Sequence, residues 1–294
     1  MNFSVVIATK DRVASLVRVL DSLETQCNAP AFEVVVVDNG SSDETPELVR
    51  ERAGTVTFPL QFVHVPRPNR AAARNAGIAA ATGAVVVFVD DDVALPAGFL
   101  AAHAAAQLGV FPVAVSGPIL NVSGYEARPR PAARNYSRAF FCTCNVSIAR
   151  SALVAAGGFD EGFDLYGWED TELGLRLRRH DVRRAFAWEA YLWHIKPPHS
   201  ETLDVVYAKT VERATMAARL LRKDGGMRTR FATGAYGLNL VRSRLLSPVW
   251  SLGTYRALAT NQRVPRALRA FARGQFLDGA YTSTLRRALA NRSS

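Results

Sequence analysis

The feature that most restricts the fold of this chain is a repeated switch of hydrophobic period over its first part. Short β-branched runs at Ser4–Ala8, Val34–Val37, Phe62–Val65, Val85–Val89 and Val113–Ser116 alternate with stretches of helical spacing. Such alternation predicts an α/β fold with a mixed, mainly parallel sheet flanked by helices. Between the first two runs Val13, Leu16, Val17, Leu20 and Leu23 recur on one helical face, and Thr45-Pro46 after the second run offers a capping Thr and a first-turn Pro. With 294 residues, 49% of them hydrophobic, the chain can bury a substantial core.

Further along, residues 124–138, with Pro129, Pro131 and five charged side chains, read as a surface loop. Phe140–Ile148 reads as a strand, Ser151–Ala156 as a short helix, Asp170–Arg179 as a longer helix, and Val182–Ile195 as one strand rich in aromatics. From about Ser200 the pattern is helical and basic. The expected organisation is therefore an α/β domain over 1–199 and a C-terminal helical extension over 200–294. Residues 1–200 carry 19 Lys/Arg against 21 Asp/Glu, whereas residues 201–294 carry 17 against 5, so all of the +10 excess lies in the last third. A segment of this kind attracts acidic partners or anionic lipid through salt-screened forces, or is simply a solvated Arg-rich surface. Its apolar stretch around Leu238–Leu252 is broken by Arg242, Arg244 and Pro248, too short to span a bilayer.

The N-terminus reads as a first strand rather than a signal peptide. The three cysteines, Cys27, Cys142 and Cys144, suit neither a disulfide framework nor a zinc set. A reducing, cytoplasmic location is the expectation.

Four constellations carry chemistry. Asp90-Asp91-Asp92 ends a hydrophobic run, where an open α/β sheet binds its ligand; the adjacent carboxylates are either a solvated acidic turn or are offset by a hard divalent cation bridging to a diphosphate. Asp38 ends another strand before a Gly/Ser turn and suits a nucleotide base or ribose, or merely caps that turn. Neither loop is a G-x-G-x-x-G fingerprint or a Walker A loop, which removes the usual support for dinucleotide redox chemistry and P-loop phosphoryl transfer. Glu169-Asp170 opens a helix behind Tyr166, Gly167 and Trp168; the pair either simply serves the helix N-terminus, where the dipole favours ionised acids, or supplies the ionised carboxylate a general base must be, with aromatic faces beside it to stack on sugars. His194 ends the aromatic strand, where neutral imidazole can complete a divalent site or simply pack.

In this order and spacing, the pieces resemble the inverting, nucleotide-sugar-dependent family 2 glycosyltransferases of GT-A fold, over about residues 3–198. Thr9, Lys10, Asp11 and Arg12 look like the base-binding turn after the first strand, and Asp38 matches the acidic base-binding position. Asn69 to Gly77, with Arg74, is similar to the helix that approaches the nucleotide. The resemblance implies that Asp90 lies near the ribose beside Asp91 on the donor side, that Asp92 and His194 hold Mn2+ or Mg2+, and that Asp170 is the base with Glu169 beside it. It further implies Tyr166 and Trp168 on the acceptor, a nucleotide-diphosphate sugar as donor with UDP favoured, and a hydroxyl on a glycan, lipid-linked carrier or small glycoside as acceptor. Lys10-Asp11 stands where Tyr-Asn is common, and no Q-x-x-R-W follows residue 198, which argues against a processive synthase.

Two rivals share this architecture. A nucleotidyltransferase begins with a Gly-rich loop, absent from Ala8–Arg12, and a degenerate, non-catalytic glycan or nucleotide binder has no need of the acidic triplet and the Glu-Asp pair. No recognition motif for nucleic acid accompanies the tail's charge, so no nucleic-acid partner is expected. The tail is left with three roles: closing on acceptor, joining subunits, or lying peripherally on the cytoplasmic face of a membrane.

Overall fold

The computed structural model describes residues 2–109, 112–197 and 201–291. Two compact units divide the chain: residues 1–164 with 169–200, and residues 165–168 with 201–294. Residues 198–200, where the sequence pattern changes, lie outside the described residues.

The first unit is built on β1 (Phe3–Thr9), α1 (Val13–Glu24), β2 (Phe32–Asp38), α2 (Thr45–Arg52), β3 (Leu60–His64), α3 (Arg70–Ala80) and β4 (Val85–Asp90). There follow β5 (Val93–Ala94), α4 (Phe99–Ala106), β6 (Val113–Ser116), β7 (Ile119–Val122), β8 (Asn145–Ala149), α5 (Arg150–Ala155), α6 (Glu169–Arg179), β9 (Arg183–Phe186) and β10 (Leu192–Ile195). Seven strands form one sheet in the order β3-β2-β1-β4-β8-β6-β9. Strands β3, β2, β1 and β4 are parallel; β8 runs antiparallel to both β4 and β6, and β9 is parallel to β6.

Alternate residues of each strand feed opposite faces, which is why the Val-rich runs are apolar throughout rather than alternating. Phe3, Val5 and Ile7 of β1 pack with Leu16, Val19, Leu20 and Leu23 of α1 and with Phe99 and Leu100 of α4. On the other face Val6 joins Val35, Val37, Val86 and Phe88 against Ala71, Ala73 and Ile78 of α3 and Leu173 and Leu177 of α6. Each such buried Val, Leu, Ile or Phe side chain is worth about 1.5–3 kcal/mol over leaving it exposed. A Cβ on Gly77 would meet Val6 Cγ1 at 2.4 Å, so α3 lies on the sheet at a distance only glycine permits.

Three readings of the sequence change. Only Asn145–Ala149 of the stretch 140–148 is strand; Phe140–Thr143 leaves the ladder because Asn145 N bonds Cys142 O at 3.0 Å and Thr143 N donates instead to the Asp170 carboxylate. The run 182–195 is two strands, β9 and β10, separated by a turn in which Ala190 N donates to Ala187 O. They belong to different sheets, and the turn sits against Gly117, where a Cβ would fall 1.8 Å from Ala190 O. The second, three-stranded sheet, β5-β10-β7, has no counterpart in the sequence reading, since its members are only two to four residues long.

The second unit holds α7 (Leu203–Lys223), α8 (Met227–Thr233), α9 (Gly237–Leu246), α10 (Leu252–Thr260) and α11 (Arg266–Ala290). Its core is small-residue packing of Ala214, Ala217 and Ala218 on α7 against Leu285 on α11. Among the described residues no helix is long and apolar enough to cross a membrane.

Candidate active site

The turns after β1, β2 and β4 meet at the carboxyl edge of the parallel strands, where this class of sheet places its ligand. Thr9 Oγ1 donates to Asp91 Oδ2 at 2.8 Å, and Arg12 Nη1 reaches Asp91 Oδ1 at 3.0 Å and Asp92 Oδ2 at 2.6 Å. Asp11, at φ +51°, takes Ser42 N at 2.6 Å on its Oδ1, while its own amide donates to Ser41 Oγ at 3.0 Å. The first turn is thereby laced to the other two.

Burial pushes Asp91 up to about 6 against the pull of Arg12 and Thr9. Asp92 goes the other way, to about 2, because hydrogen bonding and charge from His194, with Arg12, outweigh burial. Two neighbouring carboxylates are thus driven apart by their surroundings. His194 arrives through the small sheet: it pairs with Val93 across β5 and β10, and Ile195 N donates to Asp92 O at 2.8 Å. Its Nε2 then stands 3.1 Å from Asp92 Oδ1.

Asp90, Cys144 and His194 bring one ligand atom each within 4.8 Å of one another. Burial holds the Cys144 thiol protonated, so with Asp92 against the same imidazole the remaining donors are carboxylate oxygens and an imidazole nitrogen, a set that fits a divalent cation such as Mn2+ or Mg2+. Cys144 at this place was not legible in sequence, since its approach depends on β8 pairing with β4, Asn145 opposite Val89.

The acid pair lies at the start of α6. Arg74 Nη1, buried, donates to Glu169 Oε1 at 2.9 Å and lies 3.8 Å from Asp170 Oδ1. Burial opposes the Arg74 charge, but Asp170, Glu169 and Asp90 overcome it and hold the guanidinium ionised. Asp170 accepts from Thr143 N at 2.9 Å and from Thr143 Oγ1 at 3.0 Å, both on Oδ2. Its burial raises it to about 6, opposed by Arg74 and supported by Glu169. Glu169 Oε2 is buried without a hydrogen-bond partner. Asn75, one residue past Arg74, clamps the loop leading to α6 through Phe159 N, Phe159 O and Glu161.

Asp38 is fully buried, its Oδ1 accepting Ser41 N at 2.9 Å and its Oδ2 2.7 Å from His64 Nδ1. His64, half exposed at the end of β3, was absent from the sequence reading because nothing in its local pattern marks it. Tyr166 and Trp168 group with the helical unit rather than with the sheet. There Trp168 Nε1 donates to Arg213 O at 2.8 Å under the Arg213 guanidinium, and Tyr166 N donates to Glu212.

A family model described as glycosyl transferase family 2 matches residues 4–153, more than half of the chain and all of the three turns. The chain belongs to glycosyl transferase family 2. A second model, described as N-terminal domain of galactosyltransferase, matches residues 127–200 of this family 2 chain, the span that carries Cys144, Glu169, Asp170 and His194. Validoxylamine A glucosyltransferase of Streptomyces hygroscopicus subsp. limoneus is 31% identical over 238 residues, which are 68% of this chain and 52% of that protein. The family 2 chain spans about half the length of the curated relatives it matches. Among solved structures, mannosyltransferase PcManGT from Pyrobaculum calidifontis, in complex with GDP-Man and Mn2+, superposes with TM-score 0.63 at 19% identity over 99% of this chain and 88% of that one. TarS 1-349 of S. aureus, in complex with UDP-GlcNAc, superposes with TM-score 0.57 at 22% identity over 97% and 91%. The fold is GT-A, as the residues led one to expect, with helices following it.

Proposed function

We propose that this protein is an inverting, non-processive glycosyltransferase that moves a sugar from a nucleotide-diphosphate sugar to a hydroxyl group. The observation that carries the reading is the meeting of the Asp90–Asp92 turn with His194 at the carboxyl edge of the parallel strands. In the same unit an acid pair is bound to a buried Arg74. GDP-Man and UDP-GlcNAc in the structural neighbours support a nucleotide-sugar donor, and the resemblance favours UDP here.

Thr9, Asp11, Arg12 and Asp38 shape the nucleotide side, with Asp90 and Asp91 at its ribose edge. Asp92 and His194 would hold a divalent cation, which supplies positive charge beside the departing diphosphate. Asp170, raised by burial yet ionised at neutral pH, accepts the acceptor's proton. The hydroxyl oxygen then bonds to the anomeric carbon on the face opposite the nucleotide, and the old carbon–oxygen pair leaves with the diphosphate. Glu169 and Arg74 set the position and charge of that base. Trp168 and Tyr166 are the proposed acceptor contacts, and the acceptor is a glycan, lipid-linked carrier or small glycoside.

The test is calorimetric titration of UDP, GDP and dTDP with Mn2+, Mg2+ or EDTA, on the wild type and on Asp92→Ala. One nucleotide bound only with metal, and lost in the variant, is the expected result; binding of none would remove the reading.

A further inference from the structure

In an ordinary surface helix the polar face meets water and the apolar face the core. Helix α9 reverses this. It buries Ser243, whose Oγ lies 2.5 Å from Thr282 Oγ1 on α11, and Ser247 just beyond it bonds Gln275. On its outer side stand Leu238 and Leu245, 79% and 75% exposed, with Val241 between them at helical spacing. The next turn adds Val249 and Trp250, the latter 85% exposed, and α8 presents Met227 and Phe231, one helical turn apart.

This apolar surface is set in unusual charge. Between Asp224 and Asp278 the chain has no Asp or Glu and nine Arg. Arg228, Arg230 and Arg244 stand exposed among the apolar side chains. A soluble surface does not ordinarily leave Leu, Phe and Trp out together, and such a patch marks a partner.

We infer that the α8–α9 face of the helical unit docks on an anionic lipid bilayer, with Trp250, Leu245 and Leu238 entering the headgroup boundary and the arginines meeting lipid phosphates. Charge decides among occupants. Arg242 and Arg256 are already paired, with Asp278 at 3.1 Å and Asp204 at 2.8 Å, so a second copy would set Arg228, Arg230 and Arg244 chiefly against their own kind, whereas an anionic leaflet answers them with phosphates. Nucleic acid would satisfy the arginines but leave Leu238, Val241 and Leu245 in water, while a bilayer boundary takes up both.

The full chain is to be sedimented with vesicles of phosphatidylcholine alone and of phosphatidylcholine mixed with phosphatidylglycerol, at low and high salt. The expected result is binding to the anionic vesicles only, weakened by salt. It should fall by about tenfold or more in Leu245→Ser/Trp250→Ser and in Arg228→Ala/Arg244→Ala. All four side chains are exposed, so melting temperature should hold. Independently of folding in those variants, brominated lipid should quench wild-type fluorescence to a greater extent than that of Trp250→Phe. No binding to either vesicle, binding unchanged in both double variants, equal quenching, a dimer in solution that Leu245→Ser dissociates, or an oligonucleotide that displaces the vesicles would each overturn the inference. None of these readouts depends on sugar transfer.

Discussion

Arg74 Nη1 and Glu169 Oε1 lie 2.9 Å apart across 95 residues of chain, their side chains only 11% and 8% exposed. This contact fixes the start of α6 against α3, and the same nitrogen, 3.8 Å from Asp170, sets the charge of the proposed base. Arg74→Ala removes the positive member of this cluster and leaves two largely buried carboxylates without it. A loss of roughly 3–5 kcal/mol in urea-unfolding stability is expected.

Asp170→Asn keeps the shape of the side chain but cannot take a proton. Transfer should fall by about 10²–10⁴-fold while calorimetric donor binding stays within twofold or so. Equal loss of both would assign Asp170 to architecture.

The acid limb of the rate should follow Asp170. Burial raises it to about 6, so the ionised, active form dominates above that pH and is lost as pH falls through it. Arg74 opposes that rise, and a stable Arg74 variant such as Arg74→Lys that moves the cation away should shift the limb toward higher pH. A limb unmoved in kcat/KM profiles would separate Arg74 from the base.

Metal binding should depend on the Asp92–His194 contact of 3.1 Å. His194→Ala and Asp92→Ala are each expected to weaken Mn2+ by at least the roughly 10–100-fold that outer-sphere changes cause. Electron paramagnetic resonance of free Mn2+ measures this without turnover.

His103 offers a test of the core. It is fully buried in α4, bonded to Ser147 Oγ at 2.9 Å and Asn145 Oδ1 at 3.0 Å, and burial lowers its pKa to about 4. The unfolded chain binds that proton near 6.5, so the contribution is whole above 6.5 and shrinks as pH falls toward 4, by about 3 kcal/mol. Denaturant titrations of wild type and His103→Gln should diverge by that amount over this window.

Local pattern decided much of this protein. Val-rich runs and helical spacing determined β1, β2, β4 and α1, because a strand buried on both faces has to be apolar throughout and a half-buried helix has to repeat every three to four residues. The acidic triplet and the Glu169-Asp170 pair were legible for the same reason: carboxylates at a strand end and at a helix start are local statements. What the sequence could not decide was distance between parts far apart in the chain. The two-residue β5 carries no periodic signal, yet its pairing with β10 is what brings His194 to Asp92. The split of residues 182–195 by the Ala187–Ala190 turn packed on Gly117, the approach of Cys144 to Asp90, and the hold of Arg74 on Glu169 are likewise products of the sheet closing. The tail shows the limit from the other side: its interleaving of apolar and basic residues predicts helix, but only packing determines that on α9 Ser243 goes in while Leu238 and Leu245 go out.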